Sequence, residues 1–171
     1  MPSLAEQIRE ALSMFARNGI EPALIGGLAV VAHQVVRATQ DVDFLVEAEA
    51  ADKLHEALLD LGYQCLYRSG DAANYVRGSE GLDLLYAHRP LARRLLAEAA
   101  ERDTPMGRMR IISAEGLVLA REAGVSFQPS LGSASRVDPI AEWLSLMDVV
   151  QMLCPTWPVR DTPMQGTHWR I

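Results

Sequence analysis

Ala23-Leu24-Ile25-Gly26-Gly27-Leu28-Ala29-Val30-Val31-Ala32, followed by Arg37-Ala38-Thr39-Gln40-Asp41-Val42-Asp43-Phe44-Leu45-Val46, decides how this chain is read. Ala23 to Ile25 predict a short strand, Gly26-Gly27 a bend, and Leu28 to Val36 a helix buried on most sides. Val42 to Val46 predict a second strand. Because side chains alternate along a strand, Asp41, Asp43 and Leu45 share one face while Val42, Phe44 and Val46 take the other. Acids two residues apart on a strand stand about 6–7 Å apart at Cα. Such a pair converges on one hard cation or brackets two. Magnesium suits it, because that ion takes oxygen ligands and keeps waters and substrate phosphates in its shell.

The glycines supply the complementary half. Glycine lets backbone approach a ligand closely, and the helix that follows offers its first N–H groups to an anion. Together they suit a triphosphate whose oxygens also reach the metal. Arg37 brings a fork of donors for phosphate. Thr39 brings a hydroxyl for the turn or for a phosphate oxygen. Asp83, in Leu82-Asp83-Leu84-Leu85, joins the same face if its strand pairs beside Val42–Val46. There it is either a metal ligand or the base for an attacking hydroxyl.

Outward from this centre, Leu4, Ile8, Ala11, Leu12 and Phe15 recur at helical spacing, and Ser3-Leu4-Ala5-Glu6 reads as a capping box. Asn18-Gly19 stops that helix. Ala48 to Leu61 predict a helix with Ala51, Leu54, Leu58 and Leu61 inward. Strands follow at Tyr63–Tyr67 and Asn74–Arg77, joined by a Ser69-Gly70-Asp71 turn, and at Gly81–Ala87. Pro90 opens a helix to about Glu101, Met109–Ile112 is a strand, and Ser113 caps a helix ending near Gly124. Phe127–Arg136 reads as a loop, Asp138-Pro139 starts one more helix, and Thr156–Ile171 has no period. The order of elements is α/β or α+β with a mixed sheet, since no helix separates the strands between Tyr63 and Ala87.

Composition narrows the classes. The 171 residues are enough for one domain with its own core, and half of them are hydrophobic (49%). A net charge of -6 argues against a broad basic surface for nucleic acid. Arginine carries the positive charge, with Lys53 the single lysine. Cys65 and Cys154 match no metal or disulfide pattern, so a reducing compartment is expected. Glu6, Arg9 and Glu10 are not those of a secretory leader, and no apolar run reaches membrane-spanning length. A cytoplasmic protein without membrane association is the expectation. His33 reads as a packed or half-exposed polar residue of its helix rather than a base, His55 and His88 lack partners at ligand spacing, and Ser113 lacks a nucleophile's surroundings.

Gly26-Gly27 with Asp41-x-Asp43 resembles the signature of the DNA polymerase β-type nucleotidyltransferase superfamily. The fuller run, with Arg37-x-Thr39 before the acids, is similar to the small bacterial members grouped with AbiEii-type toxins and minimal nucleotidyltransferases. The likeness covers roughly Met1 to Ala123 and includes Ile112–Arg121, with Arg121 where a lysine is common. It implies the nucleotidyltransferase fold: a mixed central sheet flanked by helices, over a core of residues 1–124. Residues 125–171, read as loop, one helix and irregular tail, depart from that group's pattern.

The resemblance implies that Gly26 and Gly27 bind nucleotide phosphates and that Asp41 and Asp43 bind Mg²⁺ or Mn²⁺. Asp83 becomes the third carboxylate, as base or ligand, and Arg121 a phosphate contact. The implied reaction moves a nucleoside monophosphate from an NTP to a hydroxyl on an RNA end, a protein or a small molecule. The implied setting is a toxin with a cognate antitoxin, or phage defence. The divergent last third motivates a second reading, a catalytically inactive module of the same fold that binds a nucleotide or a partner protein. A phosphohydrolase using the same acids is a third.

Overall fold

Residues 3–33, 41–104 and 106–122 are described by the structure, a computed structural model. The chain opens with α1 (Leu4–Arg17), which starts where the expected capping box closes. Ser3 N donates to Glu6 Oε2 at 2.5 Å, and Glu6 N donates to Ser3 Oγ at 3.3 Å. Its buried side is Gln7, Ile8, Ala11, Met14 and Phe15. Leu4 and Leu12 are only half-buried.

β1 (Ala23–Ile25) leads straight into α2 (Gly26–Ala32), so the glycines form the helix's own first turn rather than a bend ahead of it. β2 (Asp41–Glu47) follows, then a 3-10 turn (Ala48–Ala50) and α3 (Ala51–Asp60). Leu54 and Leu58 are the inward residues of α3, whereas Ala51 and Leu61 are half-buried. Three strands come next: β3 (Gln64–Arg68), β4 (Ala72–Arg77) and β5 (Glu80–Ala87).

Proline at its first position opens α4 (Pro90–Glu98). The helix was expected to reach Glu101. It stops because Ala99 turns extended, at φ -60° and ψ 131°, and Ala100–Thr104 forms an additional strand, β6. β6 pairs antiparallel with β7 (Gly107–Ile111) from Ala100↔Ile111 to Thr104↔Gly107. Pairing in the sheet overrides the helix propensity of the Ala-Ala-Glu run. α5 (Ala114–Glu122) closes the described part, with Gly116 N donating to Ser113 Oγ at 3.0 Å as the expected cap.

The seven strands form one mixed sheet in the order β3-β4-β5-β2-β1-β7-β6. β2 runs parallel to β5, and β1 parallel to β7; the other neighbours are antiparallel. On one face Val42, Phe44, Leu82 and Leu84 are buried. Phe15 of α1 stands edge-on to Phe44 there, centroids 5.0 Å apart. His55 of α3 shares a 3.0 Å hydrogen bond with the Tyr75 hydroxyl. α2 lies on the other face, against Asp43, and touches α5, which in turn touches α4. No helix among the described residues is long and apolar enough to cross a membrane. The elements expected beyond residue 124, the end of the Leu28–Val36 helix, and Arg37 and Thr39 lie outside the described residues.

Candidate active site

Register across the sheet decides which side chains meet. Ile25 at the end of β1 faces Asp43, Asp43 faces Asp83, Asp83 faces Asn74, and Asn74 faces Tyr67. The condition set by the sequence is therefore met: β5 pairs directly beside β2 and puts Asp83 level with Asp43. Neighbouring strands are about 4.8 Å apart, so these carboxylates project side by side from one face. One step along, Asp41 lies opposite Gly81.

Two glycines make room for the two β2 acids. At Gly26 the backbone takes φ +70°, and an added Cβ would stand 2.2 Å from Asp43 Oδ2. The Asp43 carboxylate thus rests on the backbone of the first helical turn. At Gly81 an added Cβ would stand 2.6 Å from Asp41 Oδ1. Asp41 is exposed, Asp43 half-buried and Asp83 only 5% exposed, so the site grades from solvent into the sheet. Gly27 is buried within α2.

Asp83 is the acid whose environment is most altered. Burial raises its pKa to about 6; the hydrogen bond from Asn74 pulls the other way, and the charge of Asp41 adds to the rise. Asn74 Nδ2 donates to Asp83 Oδ1. Gln7 of α1 reaches in from the other side of β5, its Nε2 donating to the Gly81 carbonyl at 2.9 Å.

Oxygen ligands at a solvent-facing edge fit a hard divalent cation. Among the described residues no group of three or more His, Cys, Asp or Glu is gathered closely enough to cage a metal. The exposed Asp41 and half-buried Asp43 suit an ion that keeps water and phosphate in its shell.

Of the residues expected in the site, the structure brings together Gly26, Asp41, Asp43 and Asp83 around the ends of β1, β2 and β5, with Gly27 next in the turn. Arg121 sits half-buried in the last turn of α5, with no ion pair to another described residue. Asn74, Gln7 and Gly81 were not singled out from the sequence. A signal for Asn74 existed: Gly78-Ser79 is a two-residue hairpin turn closed by Arg77↔Glu80, and counting back from it places Asn74 opposite Asp83.

Residues 2–119 match the model of a family described as uncharacterised nucleotidyltransferase. No curated protein matches the chain. Among solved structures it is similar to ANT(2")-Ia in complex with adenylyl-2"-tobramycin, at TM-score 0.60 and 18% identity, over 87% of this chain and 88% of that one. It is similar to the lincomycin-bound lincosamide antibiotic adenylyltransferase LnuA, at TM-score 0.57 and 13% identity, over 83% and 93%. An antigenic nucleotidyltransferase-like protein from Paracoccidioides brasiliensis matches at TM-score 0.56 and 19% identity, over 92% and 78%. At these identities the structural likeness speaks to fold.

Proposed function

This chain belongs to the nucleotidyltransferase family matched over residues 2–119, and on that footing we propose that it transfers a nucleoside monophosphate from an NTP to a hydroxyl acceptor with a divalent metal. The observation that carries the reading is the level row Asp43–Asp83 beside the Gly26 turn, with Asp41 one step along. Carboxylates directly opposite one another repel, and a bound cation turns that repulsion into attraction.

Asp41 and Asp43 are the residues that would hold Mg²⁺ or Mn²⁺, which when bound neutralises phosphate charge and activates the α-phosphorus. Gly26 and Gly27 present the first N–H groups of α2, which lack intrahelical partners, to the phosphates. Arg37, Thr39 and Arg121 are the further phosphate contacts in this proposal. The acceptor oxygen bonds to the α-phosphorus as the bond to pyrophosphate breaks, and the hydroxyl proton passes to Asp83. A carboxylate lifted to about 6 is suited to take it near neutral pH. Most of the catalysis in such a transfer is positioning and charge stabilisation.

Small hydroxylated molecules are among the acceptors to be tried, a choice supported by fold neighbours whose structures hold adenylyl-2"-tobramycin and lincomycin. RNA ends and proteins complete the panel. The protein is incubated with each labelled NTP, Mg²⁺ or Mn²⁺, and each acceptor, alongside D41A and D43A. Label in an acceptor, lost in both variants, is expected. NTP binding without transfer to any acceptor would support the inactive module instead, and NTP loss without labelled acceptor a phosphohydrolase. The proposal extends to a toxin of the AbiEii-like group. Induced expression in a bacterial host is expected to arrest growth for the wild type and not for D41A; unimpaired growth would remove that extension alone.

A further inference from the structure

We propose that Asn74 is a positioning residue for the transfer reaction, its side-chain amide holding the Asp83 carboxylate in the orientation that receives the acceptor's proton. The inference rests on the reading of the site as a nucleotidyltransferase centre.

Asn74 and Asp83 face one another in register on β4 and β5, and both are buried, at 8% and 5% exposure. Asn74 Nδ2 donates to Asp83 Oδ1. A carboxylate taken this far out of water needs such a donor. The amide's other end tells what it is arranged for. Asn74 Oδ1 is buried and has no hydrogen-bond partner among the described residues. With its nitrogen toward Asp83, the amide gives the carboxylate a donor; a half-turn would set acceptor against acceptor for an ionised Asp83.

The backbone on either side is fixed. Ala73 and Tyr75, which flank Asn74, are fully buried on the other face, and the ladder from Arg77↔Glu80 to Ala72↔Leu85 runs without a register shift. The amide therefore cannot drift, and neither can the oxygen it holds. With Oδ1 engaged, Oδ2 is the oxygen left to take the hydroxyl proton while the acceptor oxygen forms its bond to phosphorus and pyrophosphate departs. This arrangement is separate from the β2 acids and the Gly26 turn, which the proposed function assigns to the NTP and its metal.

The test separates positioning from plain structural support. N74L keeps the branched skeleton, with bulkier ends, and removes the donor; N74T, whose hydroxyl is one bond shorter, replaces it if N74L fails to fold. The expected result is a kcat lower by roughly 10- to 100-fold, with KM for the NTP within about twofold of wild type. In a D83N background the same substitution is expected to add less than about twofold, because the two residues act as a unit. A second readout uses the metal-free protein: the ¹⁵N side-chain amide signals of Asn74 should show one slowly exchanging, downfield proton that moves to the free-amide position in D83A. The proposal is overturned if kcat is unchanged, if kcat and NTP affinity fall together, or if the amide signals ignore D83A. If the wild type transfers no label at all, the functional reading is what fails, and the amide signals still decide whether Asn74 holds Asp83.

Discussion

The Asp43 carboxylate lies over the Cα of Gly26, so close that a methyl group built there would stand 2.2 Å from Oδ2 and 2.7 Å from Cγ. Gly26 also has φ +70°, a conformation that costs an L-residue roughly 1–2 kcal/mol. G26A therefore meets two obstacles at once. We expect it to lower stability by about 1–3 kcal/mol and to cut transfer by at least roughly 100-fold, because the displaced group is a carboxylate proposed to hold the metal. Urea unfolding beside the labelling assay checks this. A variant with wild-type activity would show that Asp43 does not need its seat on the turn.

Gly81 poses the same problem with a different outcome. Its backbone is ordinary strand, and the atom in the way, 2.6 Å from an added Cβ, is the far end of the exposed Asp41 side chain. That carboxylate can swing into solvent. G81A should therefore leave stability within about 0.5–1 kcal/mol of wild type while weakening Mn²⁺ binding severalfold. Isothermal titration with Mn²⁺ beside a thermal melt separates the two effects. Unchanged affinity would mean that Asp41 does not depend on the gap at Gly81.

The contrast between these glycines shows what the sequence could disclose. The diglycine and the paired acids were legible because each is a local pattern: a strand running into a helix through two glycines, and a period of two on β2. The place of Asp83 depended on one pairing, β2 beside β5, that the sequence posed only as a condition. Gly81 and Asn74 were missed because their meaning lies in what faces them across the ladder. β6 was missed for a related reason. Ala-Ala-Glu favours helix locally, and only its hairpin with β7 makes it a strand. The buried Gln7 belongs to this class too, since its acceptor, the Gly81 carbonyl, is distant in sequence.

Arg77 ties the hairpin that sets this register to the rest of the fold. Its Nε donates to Glu80 Oε2 at 2.6 Å and its Nη1 to the Leu61 carbonyl at 2.9 Å. Nη2 reaches Glu10 Oε2 at 2.5 Å, and the guanidinium carbon lies 4.5 Å from the centre of the Tyr63 ring. Glu80 is 8% exposed, and its Oε1 has no hydrogen-bond partner among the described residues. R77L leaves that carboxylate buried without its counter-charge, which should cost about 3–5 kcal/mol. R77L/E80L should recover part of the loss. By comparison, R94A breaks a pair on the open surface of α4, Arg94 to Glu98 at 2.8 Å, and should change stability by less than about 0.5 kcal/mol. Equal losses for R77L and R94A in urea unfolding would contradict this ranking.

The pH dependence of stability tests how Asp83 is held. Its carboxyl is raised by burial from 3.8 to about 6, so between those values the folded chain binds a proton that the unfolded chain has released. Stability from this group is thus greatest at low pH, falls as pH rises from about 4 to 6, and stays reduced above that window. The upper bound of the loss is about 3 kcal/mol, from 1.36 kcal/mol per unit. D83N removes the buried charge and keeps the shape. In the presence of EDTA it should melt several degrees above wild type at pH 7.5, with the gap closing towards pH 4, while its transfer is expected to be low but measurable. Transfer by the wild type should rise as pH climbs through about 6 and then level off, as expected for a base that must be ionised. A D83N protein less stable than wild type at pH 7.5, or a gap that widens on acidification, would mean that burial is not what governs this carboxylate. The proposed division of labour between Asp41 and Asp43 as metal holders and a buried Asp83 as base would then have to be redrawn.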